Sequence, residues 1–239
     1  MRVTYLGHSG FLLETNFAYY LFDYIRGELP EFSVGKSLFV FASHSHGDHF
    51  DERLFRPELA AGVTRYYLSD DIRKKFRRAQ PSWMGQHTED IEWVTQGRVY
   101  SQHYSTVTTL QSNDLGVAFV VRETNGATIY HAGDLNWWHW EGEDLAWNRN
   151  MEVNYKREIS RLQGWQFDAA FIPLDPRLEK AYGYGLQYFL ETVGVKHVFP
   201  MHFWKDYSVI SRYRREHPSW NLQGTVIHQI HQEGEQYEI

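Results

Sequence analysis

Four side chains able to bind a metal fall within six residues, His44-Ser-His46-Gly-Asp48-His49, directly after the apolar run Ser37–Ala42. No other feature restricts the fold of this chain as much. An unbroken apolar run of this length reads as a strand buried on both faces. Its end fixes the backbone, and the polar stretch after it is a loop that turns several side chains toward one point. Gly47 permits the tight bend. Imidazole and carboxylate are the donors that suit Zn2+ where thiolate is absent. The chain has no cysteine, so thiolate ligands and disulfides are both excluded.

Charge narrows the partners. The formal net charge is -6 at pH 7. With no basic face to neutralise a phosphate backbone, nucleic acid is not expected as the main partner. A small-molecule substrate is, because bound cations would supply a local positive site in an acidic protein. The opening MRVTYLGHSGFLLET reads as strand, not as a signal peptide. No run approaches the ~20 apolar residues of a membrane span. A cytoplasmic protein that does not enter the membrane is expected. No feature reports the oligomeric state.

No internal repeat, low-complexity tract or linker interrupts the chain, which reads as one domain over 1–239. Strands are expected at 2–7, 10–15, 18–25, 37–42, 64–68, 91–94, 98–103, 107–110, 116–122, 127–130, 167–174 and 197–201, with a β tail from Thr225. Helices are expected at 70–78, 148–162, 186–193 and 207–215, with a short turn of helix at 51–55. In 148–162, Met151, Tyr155, Ile159 and Leu162 recur at helical spacing. A β-rich start, a β-rich middle and interspersed helices predict an α/β fold. Its form is a four-layer αββα sandwich, two mixed sheets flanked by helices.

The pattern His-x-His-x-Asp-His resembles that of the metallo-β-lactamase-fold hydrolases. In that superfamily a His, an Asp and a second His follow at the ends of later strands. His103 ends RVYSQH, Asp134 ends TIYHAGD and His202 ends HVFPMH, in that order. Gly10, Asp23 and the His-Ala-Gly-Asp surroundings of Asp134 are similar to the branch of short hydrolases that contains the ascorbate-phosphate lactonases. The resemblance implies two divalent cations. His44, His46 and His103 would hold the first, Asp48, His49 and His202 the second, and Asp134 would bridge them. Asp48, Asp134 and His131 would take part in catalysis. Zinc is the expected metal, with Mn2+ or Fe2+ fitting the same donors. Flavodiiron-type members carry Glu where His46 stands, so His46 favours hydrolysis over iron redox chemistry. The implied reaction is attack by a metal-bound hydroxide on an ester, lactone or phosphate ester.

Further residues are expected around the metals. Asp23, ending YYLFD, would accept from the outer nitrogen of a ligand imidazole. His8 lies in a turn near the site. Asp175, ending AAFIPLD, would orient a ligand or substrate, and Arg177 reads as a surface ion pair. His131 either donates to a developing oxyanion or packs. In Asn136–Glu141, Trp137 and Trp138 would wall the substrate pocket. His87, the competitor of His103, reads as a surface residue. Two rival functions remain: a nuclease of the same superfamily, and a metal-stabilised metabolite-binding protein without activity.

Overall fold

A computed structural model describes residues 1–33, 35–55, 63–101, 105–124, 126–219 and 224–239. Two sheets organise the described residues. The first comprises β1 (Arg2–Gly7), β2 (Gly10–Glu14), β3 (Ala18–Phe22), β4 (Ser37–Ala42), β5 (Val63–Ser69) and β6 (Ile91–Val94). The second comprises β7 (Val99–Ser101), β8 (Ser105–Gln111), β9 (Val117–Glu123), β10 (Thr128–His131), β11 (Gln166–Pro173), β12 (Gly194–Met201) and β13 (Val226–Ile227). The last strand, β14 (Gln236–Glu238), crosses back to pair antiparallel with β1, giving the order β14-β1-β2-β3-β4-β5-β6. In each sheet antiparallel pairs give way to parallel ones: β3, β4, β5 and β6 run parallel, and so do β10, β11, β12 and β13.

Strand alternation distributes the aromatics. Tyr20, Phe22, Phe39 and Phe41 face the space between the sheets, while Leu21, Leu38, Val40 and Ala42 join a second cluster on the opposite face. Across the middle layer, Phe11 meets Phe171 at 4.4 Å and Phe41 meets Phe119 at 5.1 Å between ring centroids. Each such ring contributes about 2–3 kcal/mol by leaving water. Helices α1 (Asp70–Phe76) and α2 (Ser82–Gln86) cover the outside of the first sheet through Ile72 and Trp83. Over the second sheet lie α3 (Leu145–Ser160) and α4 (Tyr184–Thr192), where Phe189 stacks on Tyr130. Helix α5 (Ser208–Glu216) buries Val209, Ile210 and Tyr213. The architecture is the αββα sandwich expected from the sequence.

Several boundaries move for physical reasons. Helix α3 begins before Asn148 because the Asp144 side chain accepts from Trp147 N–H at 2.7 Å, a cap invisible to the apolar spacing. The third strand stops at Phe22, since Asp23 turns out with φ 42°. Gly194 opens β12 as well as ending the preceding helix. The short α2 and the 3-10 turn Pro176–Ala181 carry no period long enough to read. Among the described residues no helix is long and apolar enough to cross a membrane.

Candidate metal centre

The parallel strands deliver their C-terminal ends to one edge, where α/β sheets place their ligands. Asp23 follows β3 and the segment His44–His49 follows β4. Asp134 follows β10, Asp175 follows β11 and His202 follows β12. The β1–β2 turn brings His8 to the same edge, and His202 N–H donates to the His8 carbonyl at 3.3 Å. Backbone strain concentrates here. His8, Asp23, His202, Trp204 and Lys205 all have positive φ without being glycine, which persists only where the surroundings impose it. Gly116 (φ 70°) and Gly133 (φ 51°) make room for the loop after β4: a Cβ on Gly116 would stand 2.0 Å from the Ser43 carbonyl.

Two groups of donors converge. His44, His46, Asp114 and Asp134 form one, and His8, Asp48, His49 and His202 form the other, with the donor atoms of each group within 4.8 Å of one another. Asp134 joins them. Its Oδ2 is 3.4 Å from His44 Nε2, and its Oδ1 is 3.1 Å from His49 Nε2 and 3.5 Å from His202 Nε2. His44 Nε2 and His46 Nδ1 are 3.0 Å apart. Donors sharing one tetrahedral ion at ~2.0–2.1 Å stand about 3.4 Å from each other, so these spacings fit a common ion. Among the described residues, the buried atoms His8 Nε2, His49 Nε2 and Asp134 Oδ1 have no hydrogen-bond partner despite such short approaches. Buried polar atoms are rarely left so. A cation lying between them would satisfy all three, and the donor set is that of Zn2+, Mn2+ or Fe2+.

The far nitrogens of the rings are tied. His49 Nδ1 meets Asp23 Oδ2 at 2.7 Å, and Asp23 also accepts from Ser43 N–H and Ser43 Oγ–H, both at 2.7 Å. His202 Nδ1 meets Asp175 Oδ2 at 2.9 Å, and Arg177 grips both oxygens of Asp175 from Nε and Nη2. Such partners fix the tautomer and aim the free nitrogen at the metal. The electrostatics call for positive charge. Burial works to lower the His49 imidazole, but Asp134 and Asp23 on its two sides push it well above its usual range. Burial works to raise Asp134, and the His49 and His202 rings outweigh it, holding the carboxyl well below the ordinary value. For Asp175, burial is again outweighed, by His202 and Arg177, which bring it to about 2.

A cleft of about 330 Å3 opens onto the centre. Its polar floor holds His46, Asp48, Asp114, Asp134 and His202, and its wall holds Trp138, Trp140, Trp147, Met151 and Trp204. Trp138 donates from Nε1 to the Asp134 carbonyl at 2.9 Å and stacks with Trp140 at 6.3 Å, 7° between planes. Arg177 is the one Lys or Arg among the described lining residues, and its guanidinium lies 4.4 Å from the Trp204 ring.

Of the residues expected at the site, His44, His46, Asp48, His49, Asp134, His202, His8, Asp23, Asp175 and Trp138 meet at this edge. His103 lies outside the described residues. Four expectations need correction. His131 is fully buried, its Nε2 donates to the Ser9 carbonyl at 2.9 Å, its Nδ1 accepts from Gly133 N–H at 3.2 Å, and it stacks flat on Phe22. Neither nitrogen is free to donate to a developing oxyanion, so the catalytic role does not fit and the packing role does; the ring holds the Ala132–Asp134 loop. Trp137 turns away from the cleft and packs on Tyr184, under Lys156 Nζ at 4.1 Å, because its neighbour Trp138 takes the inward position. His87 is half-buried, stacked on Phe55 at 5.0 Å, rather than on the surface, and belongs to neither donor group. Arg177 is more than a surface pair, since it braces Asp175. Asp114 was not foreseen: it sits in the β8–β9 turn, whose Ser-Asn-Asp-Leu-Gly sequence signals only a turn. Nor were Trp147, Met151 and Trp204, whose place on the wall depends on tertiary packing.

Residues 2–140 match the β-lactamase superfamily domain. The chain belongs to the metallo-β-lactamase superfamily. Its relatives lie in a branch of short proteins named UPF0173 metal-dependent hydrolase. One from Alkaliphilus metalliredigens is 30% identical over 142 residues, 56% of this chain and 63% of that relative, so the match spans under two thirds of its length. Another, from Korarchaeum cryptofilum, is 27% identical over 214 residues, covering 85% of this chain and 83% of the relative. The solved structure of Igni18, a metallo hydrolase from Ignicoccus hospitalis, superposes with a TM-score of 0.63 at 15% identity, covering 100% of this chain and 98% of that one; this likeness shows the fold.

Proposed function

We propose that this protein is a dinuclear metal-dependent hydrolase of a small molecule bearing an ester, lactone or phosphate ester and an apolar part. One observation carries the reading: the buried carboxylate of Asp134 belongs to one donor group and reaches His49 and His202 of the other, and no hydrogen bond among the described residues reaches its Oδ1. His44, His46 and Asp134 would hold one cation, and Asp48, His49, His202 and Asp134 the other. When bound, the two ions supply an activated water at neutral pH and a Lewis acid for the scissile group. The chain's own residues do the rest. Asp23 and Asp175 keep His49 and His202 in the tautomer that presents Nε2 inward. Arg177 keeps Asp175 ionised and aimed. The Trp138, Trp140, Trp147 and Trp204 rings take the apolar part of the substrate and exclude bulk water from the bond to be broken. With Asp48 and Asp114 beside it and Arg177 as the lone Lys or Arg among its described lining residues, the cleft is a poor match for a nucleic-acid backbone.

Zinc- or manganese-loaded protein assayed on p-nitrophenyl esters, aromatic lactones and bis-p-nitrophenyl phosphate tests the reading. Turnover of at least one class, abolished by chelation and restored by metal, is expected. Metal-loaded protein inert on all three, yet binding aromatic carboxylates tightly, would favour a metabolite-binding protein.

A further inference from the structure

The imidazole of His8 has a use that the ligand pattern does not give it. Its side chain is 5% exposed, and Nε2 lies 3.3 Å from Asp48 Oδ2. That approach falls short of hydrogen-bond geometry, and among the described residues His8 Nε2 has no hydrogen-bond partner. Two groups that close and yet off line are what neighbouring donors on one ion look like, each lone pair aimed at the ion and not at the other donor. His49 Nε2 and Asp134 Oδ1 show the same sign at 3.1 Å. The ring is held in place: it packs at 4.3 Å on His202 and at 4.8 Å on Trp204, and its backbone is forced to φ 51° between β1 and β2. Strain of about 1–3 kcal/mol at a buried histidine that finds no partner points to a ligand.

We propose that His8 Nε2 is a direct ligand of the cation held by Asp48, His49 and His202. The inference rests on the dinuclear reading above. That half of the centre then offers three imidazole nitrogens (His8, His49 and His202) and two carboxylates (Asp48 and the shared Asp134). Five protein donors plus one solvent make a six-coordinate site, which suits Mn2+, Fe2+ or Co2+ better than tetrahedral Zn2+. The two halves therefore differ in metal preference, the His44 and His46 side being the more zinc-like.

Cobalt absorption spectroscopy and calorimetric Mn2+ titration of the full chain test this. Asn tolerates positive φ, so His8→Asn removes the donor while keeping the backbone comfortable. Wild type should take up cobalt at two sites, one with the weak visible bands of a six-coordinate ion. In His8→Asn those bands should change, and Mn2+ affinity at one site should fall by about 1,000-fold, beyond the 10–100-fold of losing an outer partner. His8→Gln, able to hydrogen-bond Asp48 without an imidazole, should behave like His8→Asn. Two cobalt sites with unchanged spectrum and affinity in His8→Asn overturn the ligation and leave the dinuclear reading standing. So does recovery of the wild-type spectrum by His8→Gln, which would make His8 a positioning residue for Asp48. A folded wild type that binds no cobalt overturns both.

Discussion

A ligand imidazole has two nitrogens, and the centre depends on where the outer one is anchored. For His202 that anchor is Asp175, clamped in turn by Arg177 Nη2 at 2.5 Å. Asp175→Asn keeps the shape but loses the charge that makes Nε2 a strong donor. Metal affinity at one of the two sites is expected to drop about 10–100-fold, read by calorimetry. The His44 and His46 half should titrate as before. Residue-level legibility follows the same logic. His44, His46, Asp48 and His49 were readable because one strand end presents them within six residues. Asp134 and His202 were readable only through the resemblance. Asp114 was not, because a turn aspartate has the same local signature whether or not the fold swings it to 3.7 Å from His46.

Elements set how well those residues are held. The β8–β9 turn touches the ligand loop where Val117 N–H donates to the Ser43 carbonyl at 3.0 Å, and Gly116 makes the approach possible. Gly116→Ala would force a Cβ against that carbonyl at positive φ. It is expected to cost about 2–4 kcal/mol in denaturant unfolding and to weaken metal binding, since Ser43 leads directly into His44. On the far side of β12 a histidine pair sets a pH dependence. His197 Nδ1 and His228 Nε2 are 3.0 Å apart, and His228 lies flat on Phe199. Burial, with His197 and Arg214, pushes His228 down to about 4 from its ordinary 6.5. The unfolded chain therefore binds the proton more readily, so stability from this group is complete above pH ~6.5 and declines as pH falls toward 4. The loss amounts to about 1–2 kcal/mol once solvent screening is allowed for. Melting temperatures of wild type and His228→Gln from pH 7.5 to 4 should converge as pH falls. A constant gap would contradict the assignment. Strands and long helices were legible from their periods, whereas α2, the Pro176–Ala181 turn and the start of α3 were not, because caps and tertiary contacts decide them.

Across the whole molecule, the cleft is assembled from distant pieces. Trp138 and Trp140 come from the loop after β10, Trp147 and Met151 from α3, and Trp204 from the loop after β12. Their side-by-side placement is a product of the sandwich, so only the run Asn136–Glu141 hinted at it. If these rings bind the apolar part of the substrate, Trp140→Ala should raise KM for aromatic esters about tenfold and leave small acetate-type esters within a factor of two, in steady-state assays. Equal effects on both would place Trp140 in structure and not in recognition. The proposed bridging by Asp134 lies beneath all of this, because its carboxylate belongs to one donor group and lies 3.1 Å from His49 Nε2 and 3.5 Å from His202 Nε2 of the other. Elemental mass spectrometry of purified protein, wild type beside Asp134→Asn, with circular dichroism to verify folding, tests it most directly. About two divalent ions per wild-type chain, and loss of both from a folded Asp134→Asn, is the expected result. Full metal content in Asp134→Asn, or a wild type that takes up no Zn2+ or Mn2+, would contradict it.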